Sequence, residues 1–229
     1  MDLLQRFDFI NNFFFHLIVD RKKIGISCRV TRAINYDEKR DSLSYDWTIF
    51  FNSLNLLPIF IPNKIEHLDS FLNEIKIDGV ILSGGDNMGD FPERDSTEKK
   101  LIAYSIEKKL PVLGVCRGMQ ILNNYFGGKH KKNLFHTHVN TIHKISLIDN
   151  KFILNNSKTI SVNSFHNNLI SSENLAQSLK PFAISQSDAY VEGFVHDSLP
   201  IMGVMWHPER SNDNYNELFL KHIFKPGLR

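Results

Sequence analysis

The sequence predicts an α/β fold, a mostly parallel central sheet flanked by helices. Three observations predict it. Short apolar runs alternate with stretches of helical spacing from Lys23 to Phe126, the order of a parallel sheet covered on both faces. Those runs are bounded by prolines or end at glycine turns, as strands do. The 229 residues, 42% of them hydrophobic, suffice for one α/β domain with a short arm.

The elements follow in order. Lys23–Arg29 (KIGISCR) reads as a buried strand and residues 31–41 as a polar loop. Leu43–Leu54 has helical spacing, with Leu43, Trp47, Phe50, Phe51 and Leu54 on one side. Leu56–Pro62 is a second strand between prolines, and Ile65–Ile75 an amphipathic helix carried by Ile65, Leu68, Leu72 and Ile75. Gly79–Gly85 (GVILSGG) is a third strand running into a glycine turn. Thr97–Leu110 is a helix rich in Lys and Glu on its outer face. Pro111 then opens the strand Val112–Val115, which ends at Cys116. Gly118–Phe126 is helical and stops at Gly127–Gly128, a C-cap pair.

The second half offers shorter strand-like pieces at Lys144–Leu147, Thr159–Val162, Ala183–Ser187, Tyr190–Val195 and Ile201–Met205. An amphipathic helix, Asn214–Phe224, closes the chain. No repeat or linker divides it, so residues 23–229 are expected to form one domain. Residues 1–22 read as an extension of doubtful role. Their apolar core, Phe13–Val19, falls far below the roughly 18 to 20 residues of a membrane span. They also lack the basic start and small-residue cleavage site of a signal peptide.

The bulk numbers exclude some classes. With 27 basic against 25 acidic residues and a formal charge of +2, nothing argues for nucleic-acid binding. Cys28 and Cys116 are the two cysteines, too few for a disulfide framework and suited to a reducing cytoplasm.

The chemistry centres on Cys116. A buried strand leads into Gly114-x-Cys116-x-Gly118 and a helix follows at once, the strand–turn–helix elbow that holds a nucleophile in a strained turn. The helix N-terminus favours a thiolate, and the N–H of Arg117 is a candidate oxyanion donor. Cys28 sits mid-strand without such a turn and is expected to fill core. At another strand end, His207-Pro208-Glu209 places two side chains on one side of extended chain. Glu209 is thereby suited to accept the imidazole N–H and set its tautomer. In Ser83-Gly84-Gly85, the close backbone approach a Gly–Gly turn allows makes the Gly85 N–H the second candidate oxyanion donor.

The elbow Gly114–Gln120, the His207–Glu209 ending and the Ser83–Gly85 loop together resemble the class I glutamine amidotransferase-like superfamily over about residues 23–224. The resemblance implies a flavodoxin-like sheet, a triad of Cys116, His207 and Glu209, and acyl transfer at a γ-glutamyl amide without cofactor. Asn163-Ser-Phe-His-Asn167 is similar to the glutamyl-holding segment of the stand-alone γ-glutamyl hydrolase branch. Gln120, Ser164, Phe165 and His166 are thereby implied in substrate binding. A narrower likeness is to the γ-glutamyl-CDP-amidate hydrolases of capsular phosphoramidate synthesis. It rests on Tyr36–Asp41, Asp46-Trp47, the NSFHN segment and MWHPER. Asn167 stands where γ-glutamyl-GABA hydrolases carry a second histidine.

The expected partner is therefore a small γ-glutamyl conjugate, with neither nucleic acid nor membrane. Arg29, Arg32 and Arg40 are candidates to meet a phosphate, and Lys129–Lys132 is a basic surface loop. His136, His138 and His143 lack a Cys partner or H-E-x-x-H spacing, so no metal is expected.

Overall fold

The computed structural model describes residues 21–133, 138–149, 157–211 and 213–224. Residues 1–20 of the expected N-terminal extension lie outside the described residues.

In chain order the elements are β1 (Lys23–Ser27), β2 (Arg29–Arg32), β3 (Lys39–Ser42), α1 (Tyr45–Ser53), β4 (Leu57–Ile61), α2 (Leu68–Ile75), β5 (Gly79–Leu82), α3 (Pro92–Lys108), β6 (Val112–Val115) and α4 (Arg117–Tyr125). They continue as β7 (Lys131–Lys132), β8 (Val139–Leu147), β9 (Thr159–Phe165), β10 (Asn168–Leu169), β11 (Leu179–Ser185), β12 (Val191–His196), β13 (Ile201–Val204) and α5 (Asn214–Phe224). The central sheet has nine strands in the order β4-β1-β5-β6-β13-β12-β11-β8-β9. From β4 to β13 neighbouring strands pair in parallel, and from β13 to β9 they alternate. Only β12 and β8 run against the rest, so the sheet is mostly parallel, as the strand–helix alternation predicts.

Side-chain parity builds the two layers. In β6, Leu113 and Val115 join one core cluster while Val112 joins the other, because successive strand residues face opposite ways. The first face is covered by α1 through Trp47, Phe50 and Phe51 and by α5 through Phe219, Leu220 and Phe224. The second is covered by α2, α3 and α4 through Leu72, Leu101, Ile102, Met119, Ile121 and Leu122. Residues of β6 are buried throughout, which is why they read as a continuous apolar run.

Strand β8 starts at Val139 rather than Lys144, β7 and β10 are short additions, and two further elements differ more instructively from the sequence reading. Residues 31–41 do not stay a loop: β2 and β3 pair as an antiparallel ribbon, Arg29 opposite Ser42 and Arg32 opposite Lys39. Its charged side chains are largely exposed, so no apolar alternation announces it. Helix α3 starts at Pro92 rather than Thr97, with Pro at its first position and Glu93 and Asp95 in its first turn. Glu98, one of the charges expected on the outer face, is fully buried there, as is Arg94. Among the described residues, no helix is long and apolar enough to cross a membrane.

Candidate active site

Three strands deliver the site. β5, β6 and β13 are adjacent and parallel, so the segments leaving their C-terminal ends converge, where open α/β sheets bind ligands. Ser83–Gly85 follows β5, Cys116 follows β6 and His207 follows β13.

Cys116 adopts φ 52° and ψ −105° between β6 and α4, a conformation that L side chains rarely adopt and that marks a functional turn. Its flanking glycines have steric reasons. A Cβ on Gly114 would lie 2.4 Å from the Gly118 carbonyl oxygen, and one on Gly118 would lie 2.0 Å from that of Leu82. The turn thus packs backbone on backbone. The Arg117 N–H opens α4, where no intrahelical carbonyl is available to accept it.

His207 is extended, at φ −106° and ψ 93°, while Glu209 lies in the short 3₁₀ turn Pro208–Arg210 that follows, and their side chains still meet: His207 Nδ1 lies 2.6 Å from Glu209 Oε1. Both are buried. Burial disfavours the imidazolium, but hydrogen bonds with Cys116 and Glu209 outweigh it and raise the His207 pKa to about 9. A Cβ on Gly84 would meet His207 Cε1 at 2.6 Å and Cys116 Cβ at 3.5 Å. Gly84 therefore lies against both groups.

The loop after β5 is held from behind. Arg94, fully buried, donates from Nη2 to the Ser83 carbonyl at 2.8 Å and to the Gly84 carbonyl at 3.0 Å. In a trans peptide the N–H opposes the carbonyl, so the Gly85 N–H points away from Arg94. Arg94 pairs with Glu98 and Asp86, and the Arg117 side chain pairs with Glu98 and Asp95. Ser27 Oγ donates to Glu98 at 2.8 Å and accepts from the Ser83 N–H at 3.0 Å.

The model of the peptidase C26 family matches residues 23–209. The chain belongs to the peptidase C26 family. It is thereby a glutamine amidotransferase-like hydrolase of the class I type. The C26 chain is 34% identical over 208 residues to the gamma-glutamyl-CDP-amidate hydrolase of Campylobacter jejuni, covering 88% of this chain and 96% of that one. It is 30% identical over 172 residues to a glutamine-hydrolysing GMP synthase subunit of Methanococcus vannielii, covering 73% and 85%. Its fold is similar to that of the Trypanosoma brucei CTPS glutaminase domain, at TM-score 0.69 and 13% identity over 90% and 95% of the two chains.

The remaining expected residues of this C26 chain are distributed unevenly. Gln120 is buried one turn after Cys116, its backbone N–H donating to the Cys116 carbonyl at 3.1 Å and its Oε1 accepting from Asn168 at 3.1 Å. Phe165 is half-exposed and meets His207 edge-on at 5.8 Å between ring centroids, with the Arg210 guanidinium 4.5 Å from its ring centre. Ser164 is turned away, donating to the His138 carbonyl at 2.7 Å. The His166 imidazole is likewise turned into a buried cluster beside Glu192. Burial, partly opposed by Glu192, holds its pKa down to about 4.

Cys28 is buried, and burial followed by the Asp41 charge pushes its pKa up to about 11, as a core thiol requires. Arg29 has its Nε 3.3 Å from where a Gly85 Cβ would stand. Arg32 pairs with Asp37, and Arg40 with Glu38 and Tyr36. In the basic loop, Lys131 pairs with Glu173. His136 lies outside the described residues.

Two residues escape sequence reasoning. Asn163 holds the His207 backbone at both ends, its Oδ1 accepting the N–H and its Nδ2 donating to the carbonyl, each at 2.8 Å. Arg94 anchors the Gly84–Gly85 loop. The first stands inside the NSFHN motif; the second carries no sequence signal.

Proposed function

We propose that the chain hydrolyses a γ-glutamyl amide through a thioester on Cys116, with His207 and Glu209 completing the triad. The observation that carries this is the meeting of an elbow cysteine with an imidazole held by a carboxylate at 2.6 Å. The Cys116 thiol passes its proton to His207 Nε2, and sulfur attacks the γ-carbonyl carbon. The N–H groups of Gly85 and Arg117 stabilise the oxyanion. The C–N bond breaks as His207 protonates the departing nitrogen, leaving the γ-glutamyl thioester. Water, losing a proton to His207, attacks the thioester. Sulfur departs, takes the proton back, and glutamate is released.

Gln120 and the backbone of the Ser164–His166 segment form the glutamyl subsite in this reading, with Phe165 the side chain nearest His207. The leaving group proposed is cytidine diphosphoramidate, from a cytoplasmic step of capsular phosphoramidate synthesis. The name of the Campylobacter jejuni relative and its 96% coverage support this. Arg29, beside Gly85, is the candidate to meet the diphosphate. Likeness to a GMP synthase subunit favours a second reading, a glutaminase subunit that serves a synthase partner.

The test is glutamate release from γ-glutamyl-CDP-amidate, γ-glutamyl-GABA and glutamine in parallel, with Cys116→Ala as blank. Preference for the first supports the proposal, and an Arg29→Ala variant should then raise its KM. Preference for glutamine, stimulated by a synthase, supports the second reading.

A further inference from the structure

We propose that His138, His143, His166 and Glu192 form a buried site for one divalent transition-metal ion, with zinc the best fit to the donor set. The site is distinct from the Cys116 centre, and the inference does not depend on the substrate. His138 Nδ1 lies 3.9 Å and His166 Nε2 lies 3.7 Å from Glu192 Oε1, while His143 Nε2 lies 3.5 Å from Glu192 Oε2. These separations exceed hydrogen-bond length. They are near the edge of about 3.3 Å that tetrahedral donors show when each stands about 2.0–2.1 Å from zinc. The ligand atoms of His138, His166 and Glu192 all fall within 4.8 Å of one another.

The second observation is independent of spacing. His138 Nδ1, His143 Nε2, His166 Nε2 and both Glu192 carboxylate oxygens are buried without a hydrogen-bond partner. A buried carboxylate without partners is costly. These unpartnered atoms all face Glu192, and a cation placed among them would satisfy both its oxygens and the imidazole lone pairs.

The outer contacts fix which nitrogens face inward. His138 Nε2 lies 2.6 Å from Asp188 Oδ2, so the proton on Nε2 is donated to that carboxylate and Nδ1 keeps its lone pair. His166 Nδ1 lies 3.0 Å from the Asn168 carbonyl oxygen, which can only accept, so Nδ1 carries the proton and Nε2 is free. A carboxylate behind His138 and a backbone carbonyl behind His166 is the arrangement found behind metal-ligating histidines. Glu192 and Asp188 together balance the charge of one dication. The imidazole donors select zinc over magnesium or calcium, which prefer all-oxygen shells.

The placement gives the ion a structural task. The donors lie at the end of β9, in β12, in β8 and at the residue before β8, and the Glu192 carbonyl accepts the Met205 N–H at 2.8 Å. An ion here would tie the Asn163–His166 segment to the strand leading to His207.

The full chain should be purified, stripped with a chelator and titrated with Co²⁺, with elemental analysis of the unstripped protein alongside. The site predicts one bound metal per chain and the intense visible d–d bands of tetrahedral Co²⁺, displaced by Zn²⁺. Asp188→Asn should weaken Zn²⁺ affinity by about 10- to 100-fold, and His143→Ala, at the most accessible ligand, should alter the Co²⁺ spectrum in a folded protein. A wild-type chain giving only the weak octahedral Co²⁺ spectrum would overturn the proposal. So would tetrahedral bands unchanged in folded Glu192→Gln.

Discussion

Asn163 grips the backbone of His207 from 44 residues away, its amide accepting the N–H and donating to the carbonyl at 2.8 Å each. The clamp joins β9 to the end of β13 and fixes where the imidazole stands relative to Cys116. Asn163→Ala should leave both His207 groups unpartnered, at about 1–3 kcal/mol each. A small displacement of the base should lower kcat by roughly 10²-fold. Urea denaturation and steady-state kinetics on the same preparation check both effects.

The raised pKa of His207 sets a pH dependence. Burial works against the imidazolium, and hydrogen bonds with Cys116 and Glu209 prevail, giving about 9 in the fold against about 6.5 unfolded. The folded state then binds more protons between those values, so this group's stabilisation is complete below about pH 6.5 and is lost as pH rises through 9. Arg210, whose Nε lies 3.8 Å from Glu209, is the nearby cation. Glu209→Gln should shift the alkaline limb of kcat/KM to lower pH and cut kcat by roughly 10²- to 10⁴-fold. A pH–rate profile of both proteins measures this.

Arg94 holds the carbonyls that aim the Gly85 N–H, and it balances Glu98 and Asp86 in a fully buried position. Arg94→Met keeps bulk and removes charge. Stability should fall by about 3–5 kcal/mol, the usual result of leaving buried charges unpaired, and kcat should fall with it. Chemical denaturation gives the first quantity.

The two thiols should separate cleanly. Iodoacetamide near pH 7.5 should alkylate Cys116, which faces His207, and spare Cys28, whose pKa burial raises to about 11. Peptide mapping reads the ratio.

What is legible in the sequence is local. The β6–α4 elbow and the His207–Glu209 pair lie within a few residues of chain, and glycine, proline and apolar runs mark both. The residues that position them are distant partners. Glu98 looks like a solvent-facing helix charge and Arg94 falls before the helix that the spacing marks, until Arg117, Ser27 and Ser83 close around them. The β2–β3 ribbon is charged on both faces, so its pairing leaves no period-two signature. His166 is visible through its motif, while its burial beside Glu192 depends on how the chain after β9 returns to β12, where the Val191 N–H donates to the Ile170 carbonyl.

The thioester is the most direct test. The wild-type chain, mixed with γ-glutamyl-CDP-amidate and acid-quenched within a turnover, should carry a γ-glutamyl adduct on the Cys116 peptide by mass spectrometry. Cys116→Ala should carry none and release no glutamate. Glutamate release at the wild-type rate from Cys116→Ala would contradict the account.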